Sequence, residues 1–210
     1  MSAGVASRAA RLDELRREAC SCRACPLWKD ATETVFGEGP LDAHIMLVGE
    51  QPGDQEDKQG HPFVGPAGRI LDRALDEAGI DRDDVYVTNA VKHFKWTERG
   101  KRRIHQRPNG TEIRACGFWL EAELETVRPR LVVLLGAVAG EAMFGSRYRV
   151  GEHKGKAEEA SLGSWRGLVV GTIHPSAVLR GPDPEGRDRA YAGLVADLVT
   201  AREAAAEAAR

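Results

Sequence analysis

An α/β fold is predicted by this sequence: a three-layer α/β/α sandwich around a central, mostly parallel four-stranded sheet. Four short apolar runs, at 45–49, 85–90, 131–136 and 168–173, are bounded by turn residues and have the length of buried strands. Helical patterns stand between them, and strands that alternate with helices build a parallel sheet covered on both faces.

Residues 8–19 read as the first helix. A second is predicted over 66–79, with Pro66 near its start, Ile70, Leu71, Ala74, Leu75 and Ala78 on one face, and Gly79 at its end. Another, over 111–127, sets Ile113, Cys116, Leu120, Leu124 and Val127 at helical spacing, and Pro129 stops it before the third strand. The Gly/Pro-rich stretch 180–186 predicts an exposed loop ahead of a last helix, and the ends, 1–7 and 201–210, are expected to fray.

The 210 residues suit one domain spanning 1–210, and 42% hydrophobic against 30% charged residues is the balance of a water-soluble chain. No apolar stretch approaches the roughly 18 residues of a membrane span. The N-terminus carries Arg8, Arg11, Asp13, Glu14, Arg16 and Arg17 without an apolar secretory core, so a cytoplasmic protein with no membrane partner is expected. Three of the four cysteines crowd into Cys20, Cys22 and Cys25, which in a reducing compartment points to a metal or cluster rather than to disulfides.

Ligands of such sheets bind beyond the carboxyl ends of the strands. The residues found there are Gly49-Glu50-Gln51-Pro52-Gly53 after the first strand, Thr88-Asn89 after the second and His174-Pro175-Ser176 after the fourth. From Lys92 to Arg107, seven Lys or Arg stand against one acid, Glu98, a local balance of +6 in a chain of net charge −2. Cations so concentrated predict contact with nucleic-acid phosphates, the alternative being a solvated charged face.

Several motifs then fall in one order: Cys22-Arg-Ala-Cys25, Gly49-Glu50-Gln51-Pro52-Gly53, Phe63-Val-Gly-Pro-Ala-Gly68, Thr88-Asn89-Ala-Val-Lys92, Lys101-Arg-Arg-Ile-His105, Cys116 and His174-Pro175-Ser176. In these, over roughly residues 20–198, the chain resembles the family 4 uracil-DNA glycosylases, and within them the UdgX-type subgroup that crosslinks itself to uracil-containing DNA. Residues 101–105 are the mark of that subgroup.

The resemblance implies that uracil leaves the stack and is read in a pocket built from Gly49, Gln51, Phe63, Asn89 and His174. Phe63 would supply an aromatic face, its other reading being a core aromatic. Asn89 offers a donor and an acceptor that favour uracil over cytosine, its other reading being a turn residue. Cleaving the glycosidic bond leaves positive charge on the sugar and negative charge on uracil, charges that Glu50 and His174 would stabilise. The resemblance puts the His105 imidazole where an ordinary enzyme holds the attacking water, so His105 would bond to C1′ and end turnover after one event. Lys101, Arg102 and Arg103 would contact phosphates, and Leu179 with Arg180 would fill the gap left by the flipped base. The implied partner is uracil-containing DNA, single strands favoured, bound by a monomer.

Family 4 enzymes hold a four-iron four-sulfur cluster on four cysteines, and here His93 stands where one of these is expected. The resemblance thus implies Cys22, Cys25, His93 and Cys116 as ligands of a structural cluster, with Cys20 a spare thiol nearby and zinc the alternative for a Cys3His set. The competing functional reading is an ordinary multiple-turnover glycosylase in which His105 only contacts DNA. A non-catalytic nucleotide-binding module lacks its usual Gly-rich phosphate loops, and Ser176 lacks the Gly-x-Ser-x-Gly setting of an acyl-transfer nucleophile.

Overall fold

The computed structural model describes residues 3–208. Its strands, in chain order, are β1 (Ile45–Gly49), β2 (Val85–Asn89), β3 (Trp96–Arg99), β4 (Arg102–His105), β5 (Leu131–Leu135), β6 (Ala157–Leu162) and β7 (Trp165–Thr172). The helices are α1 (Ala3–Cys20), α2 (Asp54–Gln59), α3 (Pro66–Glu77), α4 (Gly110–Val127), α5 (Ala137–Phe144), α6 (Val150–His153), α7 (Pro175–Leu179) and α8 (Pro184–Glu207).

The main sheet runs β2-β1-β5-β7-β6. Its first four strands are the four apolar runs read from the sequence, all parallel, with Ile45 opposite both Val85 and Leu131, and Leu131 opposite Leu168. The sheet has a fifth strand that the sequence reading did not include. β6 lies antiparallel along β7 at the edge, and its alternation of exposed and half-buried residues gives no apolar run to detect.

The pleat sorts side chains onto two faces. Met46, Val48, Tyr86, Val132, Leu134 and Val169 share a buried cluster with Leu15 of α1, Leu120 and Leu124 of α4 and Val138 of α5. Ile45, Leu47, Val85, Val87, Val133 and Val170 face the other way, against Leu71 and Leu75 of α3 and Leu194 and Leu198 of α8. The predicted three layers are therefore present. α4 starts on a reciprocal cap, in which Asn109 accepts from the N–H groups of Thr111 and Glu112 while the Glu112 carboxylate accepts from the Asn109 N–H.

Two expectations about the ends are corrected. α1 begins at Ala3, so residues 3–7 are helical, and α8 continues to Glu207 with Ala201 and Ala205 buried against the sheet side and the Arg202 guanidinium donating to the Ala78 carbonyl. Burial of these alanines stabilises a segment whose composition alone suggested fraying. Residues 1–2 and 209–210 of those predicted ends lie outside the described residues. Among the described residues no helix is long and apolar enough to cross a membrane.

The basic segment, not among the strands expected from the sequence, is a β-hairpin. β3 and β4 pair antiparallel, Trp96 opposite His105 and Glu98 opposite Arg103, and Gly100 supplies the positive φ of +62° at the turn.

Candidate active site

The carboxyl ends of β1, β2 and β7 open into a cavity of about 740 Å³ lined by Glu50, Gln51, Phe63, Asn89, His105, His174, Leu179 and Arg180. The three clusters predicted to share a crevice do share one. Gly49 does not line it but packs against two residues that do: a Cβ there would overlap Asn89 Oδ1 and come within 2.7 Å of the Phe63 ring. Only glycine lets the amide and the aromatic edge approach each other there.

Phe63 combines its two readings: it is 8% exposed and belongs to the α3–α8 core cluster, yet its ring forms part of the cavity wall. Its φ of +59° is a sparsely populated conformation for a residue with a side chain. A Cβ at position 68 would overlap the Phe63 carbonyl oxygen, so Gly68 is what admits this turn. The ring lies 6.3 Å from that of His174 at an interplanar angle of 26°. Asn89 ends β2, is 3% exposed, and among the described residues its side-chain amide has no bonding partner.

His174 caps α7. Its Nδ1 accepts from the Ser176 N–H at 3.2 Å and lies 2.8 Å from Ser176 Oγ, which assigns the proton of the neutral ring to Nε2. Burial lowers its pKa to about 4, opposed by the Glu50 carboxylate and assisted by Arg180 and His105. At neutral pH the ring is uncharged, a hydrogen-bond donor at the cavity wall.

His105 Nε2 stands 3.3 Å from Glu50 Oε1. That oxygen is buried yet makes no hydrogen bond, so the two groups are adjacent without being aligned. His105 itself is 50% exposed, at the rim, with the Phe94 ring 6.1 Å away.

The hairpin that carries His105 is held in place by side chains assigned other roles above. Gln51 donates to the carbonyls of Lys95 and Gln106 and accepts from the Lys95 N–H, so its side chain clasps the two residues that flank the base of the hairpin. Arg103 was expected to contact phosphate. Instead its guanidinium bonds Asp54 and Asp57, each at 2.6 Å, and Thr32 at 3.2 Å, with Phe94 and Trp96 against it. Its charge is spent on α2, and His105, two residues on in β4, lies on the same face of the strand. Lys101 and Arg102 remain exposed at the hairpin tip, and Leu179, 47% exposed, stands with Arg180 at the cavity mouth.

Glu56 was not singled out from the sequence. Its carboxylate accepts from Gly65 N–H at 2.7 Å and Gly53 N–H at 3.1 Å, tying the Gly49–Gly53 turn to the loop that carries Phe63. The Gly53-x-x-Glu56 spacing of a capping box was the available signal.

Cys116, on the buried face of α4, belongs to the core cluster against which Cys22 and Cys25 pack. Cys116 Sγ accepts from the Lys92 N–H, and burial raises its thiol to about 12. Trp119 Nε1 donates to Cys22 Sγ at 3.4 Å. His93 is buried with Nε2 2.9 Å from Thr34 Oγ1, and burial followed by the Arg23 charge lowers its pKa. Cysteine sulfur, once deprotonated by a bound metal, suits iron or zinc in chemistry, but among the described residues no three His, Cys, Asp or Glu side chains are gathered closely enough to hold a metal ion.

Residues 36–198, which contain the whole sheet and every residue lining the cavity, match the family described as the uracil DNA glycosylase superfamily. The chain belongs to that superfamily. Within it, the chain is similar to type-4 uracil-DNA glycosylases: 38% identical to that of Archaeoglobus fulgidus over 81% of this chain and 84% of the relative. Identity is 40% with the type-4 enzyme of Thermotoga maritima over 79% and 82% of the two chains, and 35% with that of Sulfurisphaera tokodaii over 82% and 77%.

Proposed function

We propose that the protein excises uracil from DNA and then captures the resulting abasic sugar on His105. Uracil excision is supported by the family and by the type-4 names of its relatives. The observation that carries the capture step is the buried, unbonded Oε1 of Glu50 beside His105 Nε2.

In this reading the flipped uracil lies against Phe63, its polar edge meets the Asn89 amide, and the His174 Nε2–H points at a uracil carbonyl. As the glycosidic bond breaks, its electron pair leaves with uracil, whose developing charge the neutral His174 donor stabilises. The Glu50 carboxylate stabilises the cationic sugar. A ring nitrogen of His105 then supplies the pair for a new bond to C1′, and the imidazolium so formed gives up its remaining N–H proton to Glu50 or to water. The product is a neutral N-linked imidazole, a poor leaving group, so each molecule acts once.

Lys101, Arg102 and Arg180 would hold the phosphates of a single strand, Leu179 would occupy the space of the flipped base, and the protein would act as a monomer. Arg103 and Gln51 become positioning residues for the hairpin. The donor chemistry, rather than the spacing of the side chains, supports a four-iron four-sulfur cluster on Cys22, Cys25 and Cys116 with His93 as fourth ligand, which would join the segment after α1 to α4 and take no part in the chemistry. Iron and sulfide analysis of the purified protein tests it, and stoichiometric zinc would overturn it.

A denaturing gel after incubation with uracil-containing single strands tests the function. The expected result is one heat-stable protein–DNA band per protein molecule. Free abasic strands in excess of protein, with no such band, would leave an ordinary glycosylase.

A further inference from the structure

Behind Asn89 lies a buried ion pair, Lys92 Nζ to Glu123 Oε2 at 2.5 Å, with side chains 1% and 0% exposed. All three donors of the ammonium are used: on Glu123, on Thr88 Oγ1 at 2.7 Å and on the backbone carbonyl of Asn89 at 2.8 Å. Glu123 in turn accepts from Gly37 N–H at 2.9 Å, Tyr86 Oη at 3.0 Å and the Thr88 hydroxyl. A Cβ at position 37 would overlap the carboxylate and the Tyr86 ring, so the chain is shaped around this group.

A buried ion pair adds little net stability compared with apolar side chains of the same volume. What this one does, and what Met and Leu could not do, is direct a cation onto one carbonyl. The peptide that follows Asn89 is also fastened on its other side, where Ala90 N–H donates to Gly49 O and Val91 N–H to Glu50 O, each at 3.0 Å. Its plane is fixed between the catalytic turn and the ammonium, and the direction of the Asn89 side chain follows from that plane.

We infer that Lys92, charge-balanced by Glu123, is a positioning residue that sets the uracil-reading geometry of Asn89. The inference rests on the reading of Asn89 as the base-reading amide and adds the device that aims it. Fully satisfied polar networks are rigid, and an amide displaced by a fraction of an ångström loses the donor–acceptor match that selects uracil.

The test compares wild type with Lys92→Met/Glu123→Gln, which leaves no unpaired buried charge, and with Thr88→Val, which removes one acceptor of the ammonium at similar volume. Single-turnover excision from a uracil-containing single strand gives the maximal rate and the half-saturating concentration. Free uracil gives an inhibition constant, and a uracil-free strand gives the affinity for DNA as such. The double variant is expected to raise the inhibition constant of uracil and lower the maximal rate, each by about tenfold, the value of one hydrogen bond. Thr88→Val moves both the same way by a smaller factor, and affinity for the uracil-free strand stays as in wild type. Unchanged inhibition by uracil in either folded variant overturns the inference, as does an equal loss of affinity for the uracil-free strand. A wild-type chain that releases no uracil defeats the proposed function itself, a result distinct from either.

Discussion

Glu50 Oε1 lies 3.3 Å from His105 Nε2 and, although buried, accepts no hydrogen bond. A carboxylate oxygen kept from water without a partner is costly. It retains full capacity for a charge that arrives during reaction, whether on the sugar or on the imidazole. The arrangement is suited to both steps proposed for the site.

Replacing Glu50 by Gln preserves shape and removes that charge. Uracil release should slow by about 100-fold or more, the usual effect of losing one electrostatic stabiliser, and adduct formation should slow with it. Single-turnover kinetics with quenched-gel analysis measures both rates, and an unchanged release rate would show that Glu50 does not act on the sugar.

Arg103→Ala removes the link from the hairpin to Asp54 and Asp57. With the Asp57 side chain 0% exposed, the loss leaves a buried carboxylate without its cation and should cost about 3 kcal/mol of folding stability. The informative outcome is kinetic: adduct formation should fall by about tenfold or more while uracil release, which does not need the hairpin in register, falls less. Equal effects on the two rates would argue against a positioning role.

Gly49→Ala places a methyl group on Asn89 Oδ1 and the Phe63 ring. The pocket narrows where the proposed reading seats uracil, so release should drop by about 100-fold or more with little change in affinity for uracil-free DNA. Gel-shift titration beside the excision assay separates the two.

His174 predicts a pH dependence of stability. Its pKa, lowered by burial to about 4, lies below the ordinary imidazole value near 6.5. Between those values the unfolded chain binds the proton and the folded chain does not. The contribution of this group is therefore complete above about pH 6.5 and is lost as pH falls toward about 4, up to about 3 kcal/mol in all. Urea melts from pH 8 to 4 should show His174→Asn losing less stability on acidification than wild type over that window, and parallel curves would contradict the assignment.

The parts of the fold legible in the sequence were those whose burial is complete. β1, β2 and β5 are buried at every residue; β1 and β5 read as unbroken apolar runs, and β2 as an apolar start closed by Thr88 and Asn89. β6 and the β3–β4 hairpin have a solvent-facing side and no such run, and both were missed as strands. In α8, Ala201 and Ala205 are buried where the sequence suggested a frayed tail, because alanine is equally at home in a core and in an exposed helix.

At the site, residue types pointed to the cavity: all eight lining residues named above were candidates in the sequence. What the sequence did not show is that the Gln51 and Arg103 side chains bond within the protein. A cation in a basic run looks the same whether it meets phosphate or, as here, a carboxylate distant in the chain. Glu123 left a readable trace, a charge on the inward face of α4 beside Leu120 and Leu124, but its partner Lys92 lies 31 residues away and only folding joins them.

Mass spectrometry of the peptide spanning residues 103–107, after exposure of the protein to uracil-containing DNA, tests the central claim most directly. The account predicts a stable mass addition of the abasic sugar and its attached nucleotides on His105, absent from His105→Ala, which should release uracil without a crosslink. An unmodified peptide accompanied by repeated release of free abasic strands would contradict it.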